Sequence, residues 1–319
     1  NYMKYSGIGG QAVMEGVMMK NQEKYAVAVR KPDHEIEVKV SEYAGIVKNK
    51  KIRNMPILRG VFSFIESLVL GMQTLTYSAS FFEEEDGNSG KKEQMSEEER
   101  IKQEKKEKKQ ESAMMGGTVL LSIVLAVVIF MLLPYFLSTL FQKVITSRWV
   151  IAFLEGVIRL AIFIGYVALI SLMQDIRRVY MYHGAEHKCI NCIEHGLDLN
   201  VENVRKSSRL HKRCGTSFLL IVMLISIVFF MFIRVESPIL KVVVRLLLIP
   251  VIAGVSYEFI RLAGRSDNAV VNLLSKPGLW LQRLTTKEPD DEMIEVGIAS
   301  VEAVFDWKTY VEEIRQEKH

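Results

Sequence analysis

His183 and His187 stand four residues apart with Glu186 between them, spelling H-x-x-E-H. On a helix, positions i and i+4 share a face, so both imidazoles can reach one ion while the carboxylate lies beside it. Imidazole nitrogen suits zinc, and a carboxylate next to the ion can take a proton from water. The same spelling is that of the inverted zinc peptidases. Further donors follow at His211-x-x-Cys214. Three ligands, from His183, His187 and either His211 or Cys214, would leave one position open, as catalytic zinc does; four protein donors would close the site and make it structural. A reading without metal stands beside both, in which these side chains cap helices or meet phosphate headgroups next to Arg177, Arg178 and Lys188. An inverted peptidase also needs a downstream acidic ligand, and between Glu194 and Glu202 the sequence favours neither. Cys189-x-x-Cys192 has the spacing of a redox pair but no βαβ context around it, so these thiols are read as incidental.

The elements that must position these groups are mostly apolar helices. The chain has 319 residues, and its mean hydropathy is positive. No charged residue lies between Glu111 and Lys143, or within Cys214–Ile233. Each of these runs is long enough for a membrane-spanning helix, which needs about 20 apolar residues. Trp149–Met173, with Glu155 and Arg159, and Ile239–Leu262, with Lys241, Arg245, Glu258 and Arg261 towards its ends, are two more candidates. Glu155 and Arg159 are spaced to neutralise one another on one helix face, whereas Arg245 and Glu258 need partners from other helices or must snorkel.

Charge placement orients these spans. The segment Gln174–Lys212 holds Arg177, Arg178, Lys188, Arg205, Lys206, Arg209 and Lys212, while the turns Gln142–Ser147 and Val235–Pro238 hold one Lys between them. The positive-inside rule puts the basic segment in the cytoplasm, and four spans put both termini there too. Asn1–Gly10 lacks the arrangement of a secretory signal. All three cysteines then face a reducing compartment, which disfavours a disulfide.

The expected architecture is mainly α: a polytopic helical membrane protein of about four transmembrane helices with a small cytoplasmic α+β portion. Residues 1–55 form a β-containing cytoplasmic region. Within it Tyr25–Arg30 and Glu35–Val40 alternate as strands around a turn at Lys31–His34. Residues 56–82 form an interfacial or re-entrant helix, with a fifth span as the alternative. Residues 83–113 are a mixed-charge linker, with a capping box at Ser96-x-x-Glu99. The first two spans occupy 114–173, the metal-site loop 174–213, the last two spans 214–262, and a cytoplasmic helical region 263–319. That last region holds a short amphipathic piece around Trp280 and a terminal helix from Pro289 to about Gln316. Opposed charges nearly cancel in the linker and no aromatics interleave, so no nucleic-acid partner is expected.

At four places the chain resembles the YqhQ-like family of bacterial inner-membrane proteins, a domain of unknown function described as a predicted metal-dependent enzyme. The likeness shows in Gly9–Met19 (GGQAVMEGVMM), His183–Lys188, His211–Thr216 and Pro277–Pro289. It implies His183, Glu186, His187, His211 and Cys214 as site residues and a metal as cofactor, without fixing a substrate. The glycine motif near the start lacks the Gly-Lys-Ser/Thr ending of a phosphate loop. Its glycines are read as turn formers, with its Met and Val side chains packing on the membrane domain.

The leading expectation is a metal-dependent hydrolytic activity at the cytoplasmic membrane face. His183, His187 and His211 or Cys214 would hold zinc or another divalent transition metal, with Glu186 as general base. The lipid bilayer is the expected surrounding, and a membrane peptide, a membrane protein or a second copy of the chain an expected partner. The alternative is a non-enzymatic assembly or interaction factor with a structural metal. A channel or transporter is the third reading, and it requires Arg159, Arg245 and Glu258 to line one path.

Overall fold

A computed structural model describes residues 4–43, 45–47, 49–82, 97–265 and 268–317. Ser96 and the acidic start of the linker lie outside the described residues. The chain divides into two compact units, one made of Asn1–Phe82 with Phe163–His319 and the other of Glu83–Ile162.

In the first unit, β1 (Gly9–Val13), β2 (Gly16–Asn21), β3 (Lys24–Arg30) and β4 (Ile36–Glu42) form an antiparallel meander in the order β1-β2-β3-β4. The register pairs Val17 with Ala28 and Met18 with Val27, so the period of two sorts the side chains by face. Val17, Met19 and Ala28 join one core with Tyr182, Ala185 and Ile190 of α6 (Gln174–Glu194) and Met293 and Val301 of α11 (Asp291–Val304). Val13, Met18, Val27 and Val29 point the other way, onto Leu70 of α2 (Leu58–Ala79), where Tyr77 also packs. A short α1 (Lys50–Arg53) precedes α2. β3 and β4 are the strands expected around the turn at Lys31–His34, but burial does not alternate along them: Ala26–Val29 are all buried, and Val38 and Val40 are exposed. The glycine motif, however, is strand rather than turn at Gly9–Val13.

After α6 come α7 (Val201–Lys206), the apolar α8 (Gly215–Met231), α9 (Pro238–Arg265) and α10 (Ala269–Thr285), which packs along α8. The terminal helix is two helices, α11 and α12 (Trp307–Glu317). The break falls at Phe305-Asp306, where the Asp306 carboxylate accepts from the Thr309 amide at 3.2 Å and starts a new helix.

The second unit contains α3 (Glu97–Val127), which passes through one π turn at Val128–Leu132 into α4 (Leu133–Thr139), and then the start of α5 (Arg148–Ile170). Pro134 explains the π turn. It lacks the N–H that the Phe130 carbonyl four residues earlier would accept, and Arg159 Nε donates to that carbonyl instead, at 2.9 Å. Arg159 Nη2 also reaches Glu155 at 2.9 Å, with both side chains buried.

Among the described residues three helices are long and apolar enough to cross a membrane: Ser112–Thr139, Arg148–Ile170 and Pro238–Ala263. The remaining one of the four expected spans is a shorter apolar helix. Gly215–Met231 has 17 residues. At about 1.5 Å per residue it is shorter than a hydrocarbon core of about 30 Å. The uncharged run there looks longer because Cys214 caps the helix from outside and Phe232–Ile233 follow its last turn.

Candidate metal centre

α6 runs through the H-x-x-E-H motif, so the motif lies on a helix whose residues 184–194 are all buried. His183 and His187 sit one turn apart with ring centroids at 4.4 Å. Cys214 is the N-cap of α8, where its Sγ accepts from the Thr216 amide at 3.4 Å. That sulfur is 3.2 Å from His183 Nε2, and one donor atom each from His183, His187 and Cys214 lie within 4.8 Å of one another. His211 is not in this group. Its Nε2 faces Glu194 Oε2 at 3.4 Å and Arg213 Nη2 at 3.1 Å.

The second layer holds both imidazoles by the nitrogen that faces away from the cluster. His183 Nδ1 lies 2.9 Å from the Thr285 carbonyl and His187 Nδ1 2.7 Å from the Arg209 carbonyl. A carbonyl can only accept, so each Nδ1 carries the hydrogen. In the neutral ring each Nε2 then keeps a lone pair, as metal-binding histidines do. The carbonyls are themselves pinned. Buried Lys188 donates to the Arg205 and Ser207 carbonyls, both at 2.9 Å. Asn191 donates to those of Ser208 and Leu210, which fixes the Arg209 carbonyl between them. On the other side, the Lys287 amide donates to the Tyr180 carbonyl at 2.8 Å. A methyl group on Gly184 would lie 2.0 Å from the Lys287 carbonyl oxygen, so only glycine lets this segment lie against α6. Gln282 of α10 grips His211 by its amide (2.8 Å) and carbonyl (2.6 Å), and reaches Ser217 Oγ at 2.6 Å.

Glu186 completes the arrangement. It is buried, its Oε2 has no hydrogen-bond partner among the described residues, and that oxygen lies 4.0 Å from His183 Nε2. Gly10 of β1 packs directly over it. An added methyl there would meet the Met18 carbonyl oxygen at 2.3 Å and Glu186 Cγ at 3.2 Å. A cavity of about 100 Å³ opens between these walls, lined by Ile8, Gly10, Glu186, Arg213 and Gly215 with the three donor residues.

Burial raises the Glu186 pKa by more than the neighbouring imidazoles lower it. Burial opposes charge on His183, but the Cys214 thiolate beside it prevails and lifts its pKa to about 9. Burial likewise opposes the Cys214 thiolate, yet His183 and His187 hold the thiol well below its ordinary value. Cys214 is thus poised as the anionic form that binds metals.

Of the two acidic candidates, Glu202 pairs with Lys206 on the surface at 2.7 Å. Glu194 is fully buried and accepts from the Ser6 amide and hydroxyl and from Arg213 Nη2 at 2.6 Å. Burial raises its pKa, but His211 and Arg213 overcome this and bring it to about 2. Cys189 and Cys192 lie outside the cluster; Cys189 packs beside Gly297 of α11, and Cys192 Sγ lies 3.4 Å from the Asp198 carbonyl. The charges proposed to line a path each have their own neighbours. Glu258 pairs with Arg59 of α2, Arg159 with Glu155, and Arg245 sits over the Phe230 ring. Gly10, Thr285, Gln282 and Arg213 were not singled out from sequence as site residues. The only signal near any of them was the glycine motif and the family segments at 211–216 and 277–289.

A family model described as "Protein of unknown function (DUF1385)" matches residues 55–307, which include the whole donor cluster. The "Uncharacterized protein YqhQ" of Bacillus subtilis (strain 168) is 34% identical over 312 residues, covering 98% of this chain and 96% of that protein. Neither description assigns a metal or a reaction. No solved structure matches. With residues 55–307 matched and this relative aligned nearly end to end, the chain belongs to the DUF1385 family, to which YqhQ is its full-length likeness.

Proposed function

We propose that this protein is a metal-dependent hydrolase of the bacterial cytoplasmic membrane. His183, His187 and Cys214 hold zinc or another divalent transition metal, and Glu186 acts as general base. The observation that carries this reading is the pairing of a convergent Nε2, Nε2 and Sγ set with an unpartnered buried carboxylate oxygen in the same cavity. Two nitrogens and a thiolate suit zinc, and three protein ligands leave one position open. A bound zinc would supply Lewis acidity towards water and a carbonyl or phosphoryl oxygen. The protein's own part is proton handling. Glu186 Oε2 takes a proton from the attacking water as the new bond to oxygen forms, and gives it to the leaving group as the scissile bond breaks. Ile8, Gly10 and Ile190 line the cavity in which this step would occur.

In this reading Gly215–Met231 is a fourth, short span, both termini lie in the cytoplasm, and the site opens at the cytoplasmic membrane face. A membrane peptide or a lipid-linked molecule is then the natural substrate class. Metal content of detergent-purified protein tests the reading, wild type beside His183→Ala and His187→Ala. About one zinc per chain, lost in both variants, is expected. Glu186→Gln is expected to keep that zinc and lower turnover about 10²–10⁴-fold. Equal turnover in this variant would remove Glu186 as base.

The second reading is a non-enzymatic assembly or interaction factor with a structural metal. The clasp around the cluster favours it, since Gln282, Lys188 and Asn191 tie four segments together there. It predicts that His187→Ala unfolds the protein rather than merely emptying it.

A further inference from the structure

Among the described residues, two residues that line the cavity beside the donor cluster carry a buried side-chain atom without a hydrogen-bond partner: Glu186 at Oε2 and Arg213 at Nη1. The proposed reaction uses the first and leaves the second unexplained. A buried donor left without an acceptor is costly, so native structures keep such groups where something else completes them.

The rest of the guanidinium is held in place. Nη2 donates to Glu194 Oε1 at 2.6 Å and lies 3.1 Å from His211 Nε2, while the Tyr5 ring covers Cζ at 3.9 Å. Glu194 engages Nη2, and its carboxylate also accepts from the Ser6 amide and hydroxyl at 2.9 and 2.7 Å, so Nη1 is the edge left for another acceptor. What remains is a buried N–H edge without a partner among the described residues, on a side chain that lines a space of about 100 Å³ bounded by the donor cluster. That space admits a group of a few heavy atoms. A planar guanidinium edge selects oxygen acceptors carrying negative charge, in carboxylates or phosphates, above neutral ones.

We propose that Arg213 Nη1 forms a subsite for an oxyanion of the substrate, so that the molecule handled at this centre carries a carboxylate or phosphate group next to the bond that is broken. The words "substrate" and "bond" rest on the hydrolase reading; the oxyanion subsite itself does not. A peptide carboxylate and a lipid-linked phosphate are the two sources of this chemistry at a membrane face.

The test measures thermal midpoints of the full-length, detergent-purified protein against inorganic phosphate and against acetate. Ionic strength is held constant and the zinc content of each sample is recorded. A ligand that binds the folded state raises the midpoint saturably. Saturation is expected with at least one of the two anions, with half-saturation at least ten-fold higher in Arg213→Lys, which keeps the charge but loses the planar fork. Should Arg213→Lys fail to fold, Arg213→Gln serves, since it keeps a planar end group while removing the charge and the Nη1 donor. Tighter phosphate than acetate points to a phosphoryl group, and the reverse to a carboxylate. A midpoint that drifts without saturating, or the same half-saturation in the variants, overturns the subsite. Zinc without saturable anion binding leaves the hydrolase reading standing alone; anion binding without zinc does the opposite.

Discussion

Two clusters of buried charge in this protein invite comparison. In the unit Glu83–Ile162, Arg159 and Glu155 lie on one helix face, and Arg159 also takes the carbonyl that Pro134 leaves without a donor. Among the described residues, neither contributes a buried polar atom without a partner. Around α6 the outer charged and amide groups Lys188, Asn191, Gln282 and Glu194 are likewise engaged, with the Thr285 hydroxyl the exception. The innermost groups are not: among the described residues Glu186 Oε2 and Arg213 Nη1 have no partner, and both residues line the cavity. A charge whose every bond is made by the fold belongs to the fold. A charge held firmly at one end and left open at the other is prepared for something that arrives later.

The largest effect should come from breaking the closed cluster. Arg159→Met leaves Glu155 buried without its cation, and removing one partner of such a pair costs about 3–5 kcal/mol. Arg159→Met with Glu155→Leu removes both charges and should recover most of that loss. Unfolding by denaturant in detergent reads both variants, and neither should change zinc content. Glu186→Gln sharpens the contrast from the other side, since Oε2 makes no hydrogen bond to lose and stability should hardly move. A stability loss for Glu186→Gln as large as that for Arg159→Met would erase the distinction.

Gly184→Ala comes next. Its methyl must displace the Lys287 carbonyl from 2.0 Å, and that moves the neighbouring Thr285 carbonyl away from His183 Nδ1. Loss of such an outer partner typically weakens metal affinity about 10–100-fold, which competition with a chelator would measure. Gly165→Ala in α5 is the control. Its methyl meets nothing within 4 Å, so zinc affinity should be unchanged.

Local periodicity was what sequence could reveal. The spacing of His183 and His187, the β3–β4 alternation and the uncharged runs are all properties of neighbouring residues. β2 escaped because Val17, Met18 and Met19 are buried on both faces of the sheet, so no polar alternation marks it. The choice between His211 and Cys214 depends on Gln282, 71 residues from His211, turning that histidine towards Glu194. Gly10 looked like a turn former because the clash that excludes a side chain there comes from Met18 and from Glu186, far along the chain. At Gly215–Met231 the uncharged run is longer than the helix, because the capping Cys214 and the residues after the last turn carry no charge either.

The smallest expected effect is at Cys192, and it tests whether position rather than residue type makes a ligand. Cys192 and Cys214 are both buried thiols, yet their surroundings push them in opposite directions. Burial lifts Cys192 to about 11, with its sulfur near the Leu197 and Asp198 carbonyls, whereas two imidazoles hold Cys214 as thiolate. A thiol of that kind neither ionises near neutral pH nor binds zinc well. Cys192→Ala should therefore leave zinc stoichiometry unchanged and cost only about 1 kcal/mol, the usual size for a modest core change. Cys214→Ser should release the metal. If instead Cys192→Ala emptied the protein of zinc, the ion would be held by a different set of donors, and the separation between satisfied and open groups around α6 would have to be redrawn.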